Sequence, residues 1–358
     1  MRDHVVDEIV EEAPGVRSFF LRPAAGQALA PARAGQYVAV RTRLPGVDGV
    51  SRPYSLSAVG PDRYRLTVKR EAPRPGRGVS AALHDHGRVG DAYAVSEPLG
   101  GFCCDLADGR PRLLVAGGVG VTPFLPMLAE AATHPRAEAL LLYAASDPQR
   151  LAFVRELAGA ARAAGGRVRV QAFLSRSEPP AGLGLDARRG RLGPADLVAA
   201  VDELGPDAEA LVCGPAGLMA MATEALLDAG LTPDQVRTES FEGAVASAPA
   251  PPAAVPGAAG PPPSEPKPAP AAAAGVSVRF ERSGVSASWA PGGGTLLELA
   301  EREGVALATG CLFGDCGTCM TPLVSGEVEH DPEPGYLRDP GTCLPCCARP
   351  LGPVVLDA

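Results

Sequence analysis

The sequence predicts a multi-domain protein: an antiparallel β-barrel, then a doubly wound α/β domain, then a small α+β domain on a tether. Three observations predict it. Short β-type runs recur every ten or so residues as far as residue 102. From Arg112 onward apolar strands alternate with amphipathic helices. Between 244 and 275 the chain is almost wholly Ala, Pro, Gly and Ser. A chain of 358 residues also exceeds what one apolar core usually organises.

Each module follows from its own pattern. VRSFFLR, QYVAVRT, YSLSAV, RYRLTVKR and DAYAVSEP are punctuated by Gly, Pro and Asp, which predicts a barrel over residues 1–103. RLLVA leads through GGVGVTP into the helical FLPMLAEAATH, and ALLLYAA into the helical PQRLAFVRELAGAARAA. RVRVQAFLS then leads into PADLVAAVDEL, and EALVCG into AGLMAMATEALLDAG. Such alternation over 104–243 means a parallel sheet with ligands at the carboxyl ends of its strands. The stretch 244–275 has nothing to bury and reads as a disordered, partly polyproline linker, spanning roughly 30 Å as a coil. The last module, 276–358, opens with a hairpin in VSVRFERSGVSASWAP and a helix in TLLELAEREGV.

Composition narrows the class. Net charge is −8, which argues against a general nucleic-acid binder. The N-terminal segment is acidic without an apolar core, and no stretch approaches the ~20 apolar residues of a membrane span. Six of nine cysteines lie within the last 48 residues, so reduced thiols or metal ligands in the cytoplasm fit better than a disulfide framework. Residues 276–358 hold eleven acids against five Arg, whereas 1–102 hold eleven acids against fourteen Lys or Arg. That asymmetry would let an acidic tail domain visit a basic head domain or a partner.

The cysteines carry the sharpest signal. Cys311, Cys316 and Cys319 lie in GCLFGDCGTCM, and Cys343, Cys346 and Cys347 follow in TCLPCCARP. Cys-x4-Cys-x2-Cys with a later fourth cysteine is the spacing of a plant-type 2Fe–2S cluster. Gly310, Gly314 and Gly317 suit a loop wrapped tightly around inorganic sulfide. The rival is a zinc ribbon from Cys316/Cys319 and Cys343/Cys346, an interaction module and not an enzyme. Its pairs are 23 residues apart, beyond the ribbon interval of roughly 15–20, and it leaves Cys311 without a role.

Over its full length the region 276–358 resembles a plant-type ferredoxin domain, with CLFGDCGTC matching the family motif. The resemblance implies a β-grasp fold whose last ligand opens a segment leading into the final strand. In CCARPLGPVVLD this selects Cys346, with Cys343 the second candidate and Cys347 a packed residue.

A cluster accepts one electron at a time and a nicotinamide gives two as hydride, so a flavin is required between them. RPYSLS resembles the flavin motif of the ferredoxin–NAD(P) reductase superfamily. The resemblance puts Arg52 on the flavin phosphate, Tyr54 against the isoalloxazine and Ser55 near N5. VKRE, with Lys69, and GVSAALHDH resemble a second flavin segment. There Gly78, Val79 and Ser80 open a helix whose N–H groups suit a phosphate. AGGVGVTP is not GxGxxG but resembles the superfamily's dinucleotide turn, with Gly118, Gly120 and Thr122 as binding candidates. In CGPAGLM the resemblance sets Cys213, Gly214 and Pro215 beside the nicotinamide, although a small residue closing a strand explains Cys213 equally well. ESF resembles the closing segment, with Phe241 as aromatic lid. Ser55 and Cys213 are thus the catalytic candidates. His84 and His86, at i and i+2 of a helix, do not share a face and are assigned to the surface. Cys103 and Cys104 are expected to pack at a domain junction.

The order of modules is that of the phthalate dioxygenase reductase-like family. It implies electron flow from NAD(P)H through flavin and cluster to a terminal oxygenase or other redox protein. A self-sufficient NAD(P)H oxidase or diaphorase is the alternative. PLGGF stands where that family carries its FMN segment, and KREAPRPGRGVSAALHDHGRVGD resembles flavohaemoglobins, so FAD is favoured over FMN. Arg150 or Arg176 would meet a 2′-phosphate, but neither position is diagnostic, and NADH is preferred over NADPH.

Overall fold

The computed structural model describes all residues except 25, 48–50, 72–77, 240–274, 291, 309–313, 315–318, 331–333 and 335–337. The chain forms two compact units, Met1–Glu242 and Gly243–Ala358. Among the described residues no helix is long and apolar enough to cross a membrane.

The first unit begins with a closed antiparallel barrel. Its strands are β1 (Arg2–Ala13), β2 (Val16–Pro23), β3 (Tyr37–Arg41), β4 (Ser51–Val59), β5 (Tyr64–Lys69) and β6 (Ala92–Val95). They close in the order β1-β2-β5-β4-β3-β6. Strand β1 is absent from the sequence reading because its acidic residues mask an alternation that buries His4 and Val6. Pro14 and Gly15 turn β1 into β2, with Gly15 at φ +73° where a side chain would be strained. Helix α1 (Val79–His86) lies between β5 and β6 and buries Val79 and Leu83 on the barrel core. It also buries His84, whose Nε2 meets Val68 O at 2.9 Å, so the surface assignment holds for His86 and fails for His84. A single hydrogen bond to a β5 carbonyl makes the ring a core group.

The same unit continues into an all-parallel sheet of β7 (Arg112–Gly117), β8 (Ala139–Ala145), β9 (Val168–Leu174), β10 (Asp186–Arg189), β11 (Glu209–Cys213) and β12 (Val236–Glu239). Its order is β10-β9-β8-β7-β11-β12. Strand β7 shows why both faces are covered. Leu114 and Ala116 join one core with α2 (Phe124–Thr133) and α3 (Val154–Ala163), while Leu113 and Val115 join the other with α4 (Pro194–Leu204) and α5 (Ala216–Asp228). The sequence runs α3 from Pro148, but the helix starts at Val154. A 3-10 turn over Pro148–Arg150 and a left-handed Phe153 come first.

The second unit packs one helix on a mixed sheet. Strands β13 (Val276–Phe280) and β14 (Val285–Trp289) form the expected hairpin, followed by α6 (Leu296–Arg302). Thr295 and Glu298 form a capping box at its start, each accepting the other's backbone N–H. Then come β15 (Thr321–Ser325), β16 (Val328–His330), β17 (Thr342–Cys343), β18 (Ala348–Pro350) and β19 (Val354–Leu356). The main sheet is β14-β13-β19-β15-β17, with β13 and β19 parallel, and β16 pairs with β18. Phe280, Trp289, Leu296, Leu299 and Leu356 form its core.

Candidate redox sites

The strand order of the α/β domain reverses direction between β7 and β11, and a doubly wound sheet opens a ligand crevice at such a point. Two turns meet there. Gly117–Val121 leaves β7, with Gly118 at φ +55°, and Cys213-Gly214-Pro215 leaves β11. They are pressed together: a Cβ on Gly120 would stand 2.4 Å from Cys213 O. Only hydrogen fits at Gly120, whereas at Gly118 nothing lies within 4 Å, and that open backbone suits the close approach of a dinucleotide. Thr122, buried, donates from its hydroxyl to Val119 O at 2.9 Å and so braces the turn.

The barrel presents β4 to this crevice. Ser55 is buried and its Oγ donates to Glu239 Oε2, 3.3 Å away at the end of β12. Glu239 is in register with Cys213 on β11. Burial pushes the Glu239 carboxyl up to about 7, against the smaller opposing effects of the Ser55 hydroxyl and the Arg237 guanidinium. Burial, reinforced by the Glu239 charge, holds the Cys213 thiol well above its ordinary range, so it is a neutral SH. The fold therefore brings Ser55, Cys213 and Glu239 together from three strands. No sequence motif assigns Glu239 a role; its one signal is an acid two residues before the proposed lid, Phe241.

Nearby, Tyr54 is half-buried and its hydroxyl is pushed up by desolvation. Arg52 donates from Nη1 to Ser51 O at 2.7 Å. Lys69 lies at the surface in an ion pair with Glu71 at 2.9 Å. Gly78 precedes α1, Val79 is buried, and Ser80 Oγ accepts the Glu71 N–H at 3.2 Å. At the carboxyl end of β8, Asp147 accepts from Ser146 Oγ at 2.8 Å and pairs with Arg150 at 3.4 Å. Phe241 lies outside the described residues.

A buried network fixes β12 from below. Arg112, 1% exposed, meets both Asp108 oxygens at 2.7 Å and Glu209 at 3.1 Å. Arg237 on β12 joins Glu209 at 3.1 Å and donates to Cys103 O at 2.7 Å. The connector holding Cys103 and Cys104 is thereby tied to the strand that ends in Glu239.

In the second unit Cys319 and Cys346 are both buried, with their sulfurs 3.1 Å apart. Leu297, Leu344 and Cys347 pack around them. Gly314, at φ +93°, comes so close that a Cβ there would lie 2.8 Å from Cys347 Sγ. Cys343 belongs instead to the apolar core with Ala348 and Val354, where burial pushes its thiol up to about 12. Two soft sulfurs side by side in a water-poor pocket fit an iron–sulfur cluster. Cys311 and Cys316 lie outside the described residues.

Comparison with known proteins agrees with a nicotinamide-binding and an iron–sulfur domain. Residues 114–224 match the oxidoreductase NAD-binding domain family, and residues 278–351 match the 2Fe-2S iron-sulfur cluster binding domain family. The tetrachlorobenzoquinone reductase of Sphingobium chlorophenolicum is 30% identical, with 99% of this chain and 97% of that protein covered. The flavohemoprotein of Bordetella pertussis is 37% identical over 64% of this chain, which spans 58% of that protein's length. Among solved structures, phthalate dioxygenase reductase superposes with a TM-score of 0.68 at 26% identity, covering 99% of this chain and 97% of its own.

Proposed function

The chain belongs to the phthalate dioxygenase reductase-like family of oxidoreductases, and on that premise we propose that it draws electrons from NADH and delivers them singly to a partner oxygenase or other redox protein. The observation that carries the reading is the Ser55–Glu239 hydrogen bond, which joins the RPYS strand to the switch-point crevice. Bound there, a flavin, FAD by the sequence resemblance, would take a hydride and release single electrons to a 2Fe–2S cluster.

The chain's own residues have definite tasks in this scheme. Ser55 holds a hydrogen bond that can be offered to the flavin ring or to Glu239, and Glu239 keeps its proton close to neutral pH. Cys213 closes β11 with a small uncharged group, and Gly120, lacking a side chain, lets the turn after β7 pack against it. The Asp147 carboxylate opposes a 2′-phosphate and already engages Arg150, which supports NADH over NADPH. Arg52, Tyr54 and the start of α1 at Gly78, Val79 and Ser80 would hold the flavin, with Lys69 at the edge of that site. Cys311, Cys316, Cys319 and Cys346 would hold the cluster. The sulfur of Cys346, side by side with that of Cys319, supports Cys346 as the fourth ligand, while Cys343 packs in the sheet core.

The near full-length likeness to a quinone reductase favours a second reading, in which the final acceptor is a small quinone. Anaerobic titration of the purified protein with NADH and then NADPH tests the main proposal. NADH should bleach the visible flavin absorbance and reduce the cluster, with NADPH at least tenfold less effective. Zinc in place of iron would contradict the proposal. Rapid quinone turnover with no protein partner would favour the second reading.

A further inference from the structure

We propose that Arg65 is a positioning residue, a strut that holds the flavin strand and the nicotinamide domain at the separation hydride transfer requires. The proposal rests on the reading above. The pairing of β4 with β5 slips between Leu56 and Ala58, leaving Ser57 as the extra residue of a bulge. Bulges beside functional sites re-aim the strand that carries them. Leu56 points into the barrel core, whereas Ser55 meets Glu239 and Ser57 meets Arg65. Arg65 locks this bulge: Nε donates to Ser57 Oγ at 3.1 Å and Nη2 donates to Ser57 O at 2.7 Å.

The other edge of the guanidinium crosses to the α/β domain. Nη1 and Nη2 donate to the two carboxylate oxygens of Glu156, in the first turn of α3, at 2.8 and 2.9 Å. The same group lies 4.8 Å over the ring of Phe153. Phe153, at φ +63°, stands alone among the described non-glycine residues in the left-handed region. It starts α3 just after the loop that carries Asp147. Arg65 is 8% exposed, so its side of the linkage is withdrawn from water, while Glu156 meets it from a partly exposed position. One planar fork thus connects the flavin strand with the helix behind the nucleotide-binding loop. A lysine has one point charge and could not make both connections.

The test uses the full-length holoprotein and the variants Arg65→Lys, Glu156→Gln and their double, mixed anaerobically with NADH. Each single change should lower the limiting rate of flavin bleaching about tenfold to a hundredfold. NADH affinity should shift less than threefold and the long-wavelength NADH–flavin charge-transfer band should weaken. The double variant should be no slower than the slower single, because both changes cut one linkage. Flavin content and the EPR signal of the dithionite-reduced cluster should be unchanged. Single variants bleaching within twofold of wild type, multiplicative losses in the double, or losses that merely follow flavin content would overturn the strut. Should Arg65→Lys fail to fold, Glu156→Gln decides alone, since that side chain is 41% exposed. A wild-type flavin that NADH does not bleach would overturn the functional reading and the strut with it. Normal wild-type bleaching with unaffected variants would overturn the strut only.

Discussion

The crevice of the first unit and the thiol pocket of the second are built on opposite plans. The crevice gathers groups from distant parts of the chain: Ser55 and Glu239 are 184 residues apart and meet through one hydrogen bond. It keeps a titratable carboxyl near neutrality by partial burial. The thiol pocket places Cys319 and Cys346, 27 residues apart, side by side among leucines. A hydride whose two electrons later leave singly gives up a proton, so its site is served by a group able to hold and release one at working pH. Single-electron transfer moves none at the metal, so soft ligands in a dry, fixed frame suffice. Damage to the first site should therefore spread through strand positions, whereas damage to the second should stay local.

The largest expected effect is at the first site. Gly120→Val puts a branched side chain where Cys213 O already stands, and β11 must move away from β7. Flavin bleaching by NADH should fall at least a hundredfold, while the EPR signal of the dithionite-reduced cluster persists. Bleaching within tenfold of wild type would show that this turn is not the nicotinamide site.

Arg112→Met should come next, because it takes one of two cations from the buried Glu209 and unpairs Asp108 at the surface. The first unit should lose about 1–3 kcal/mol in denaturant titration. An unchanged midpoint for that unit would refute the role given to the network.

Glu239→Gln sharpens the contrast through pH. The native carboxyl keeps its proton up to about pH 7, while an unfolded Glu releases it near 4.3. Between those values folding takes up a proton, so wild-type stability falls relative to the Gln variant as pH rises. The gap should reach about 2 kcal/mol by pH 8 and vanish below pH 4, allowing for the screening that partial exposure brings. Parallel pH curves for the two proteins would contradict the buried-carboxyl account.

The smallest effect is expected at Cys343→Ala, which removes one sulfur from the β-sheet core for about 1 kcal/mol. Iron content and the EPR spectrum should not change. Loss of iron there would move the fourth ligand from Cys346 to Cys343.

The legibility of the sequence follows the same division. The barrel runs, the strand–helix alternation and the cysteine spacing were readable because each is written within a few consecutive residues. Strand β1 was hidden by its outward acids, and β10 and β12 are edge strands of four residues with little apolar content. The burial of His84 depends on β5, and the role of Glu239 depends on a serine from another domain, so neither leaves a local trace. Phe153 lies in a run of good helix formers, which predicts a helix through it. Its left-handed conformation comes with a tertiary contact to Arg65 that no local pattern shows.

The most direct test of the relay is freeze-quench EPR on wild type and Cys346→Ser after mixing with NADH under anaerobic conditions. The account predicts that flavin bleaches in both proteins but that a reduced-cluster signal, with average g below 2, develops in wild type alone. An undiminished signal in Cys346→Ser, or a wild type that bleaches and passes electrons to an acceptor without any cluster signal, would contradict it.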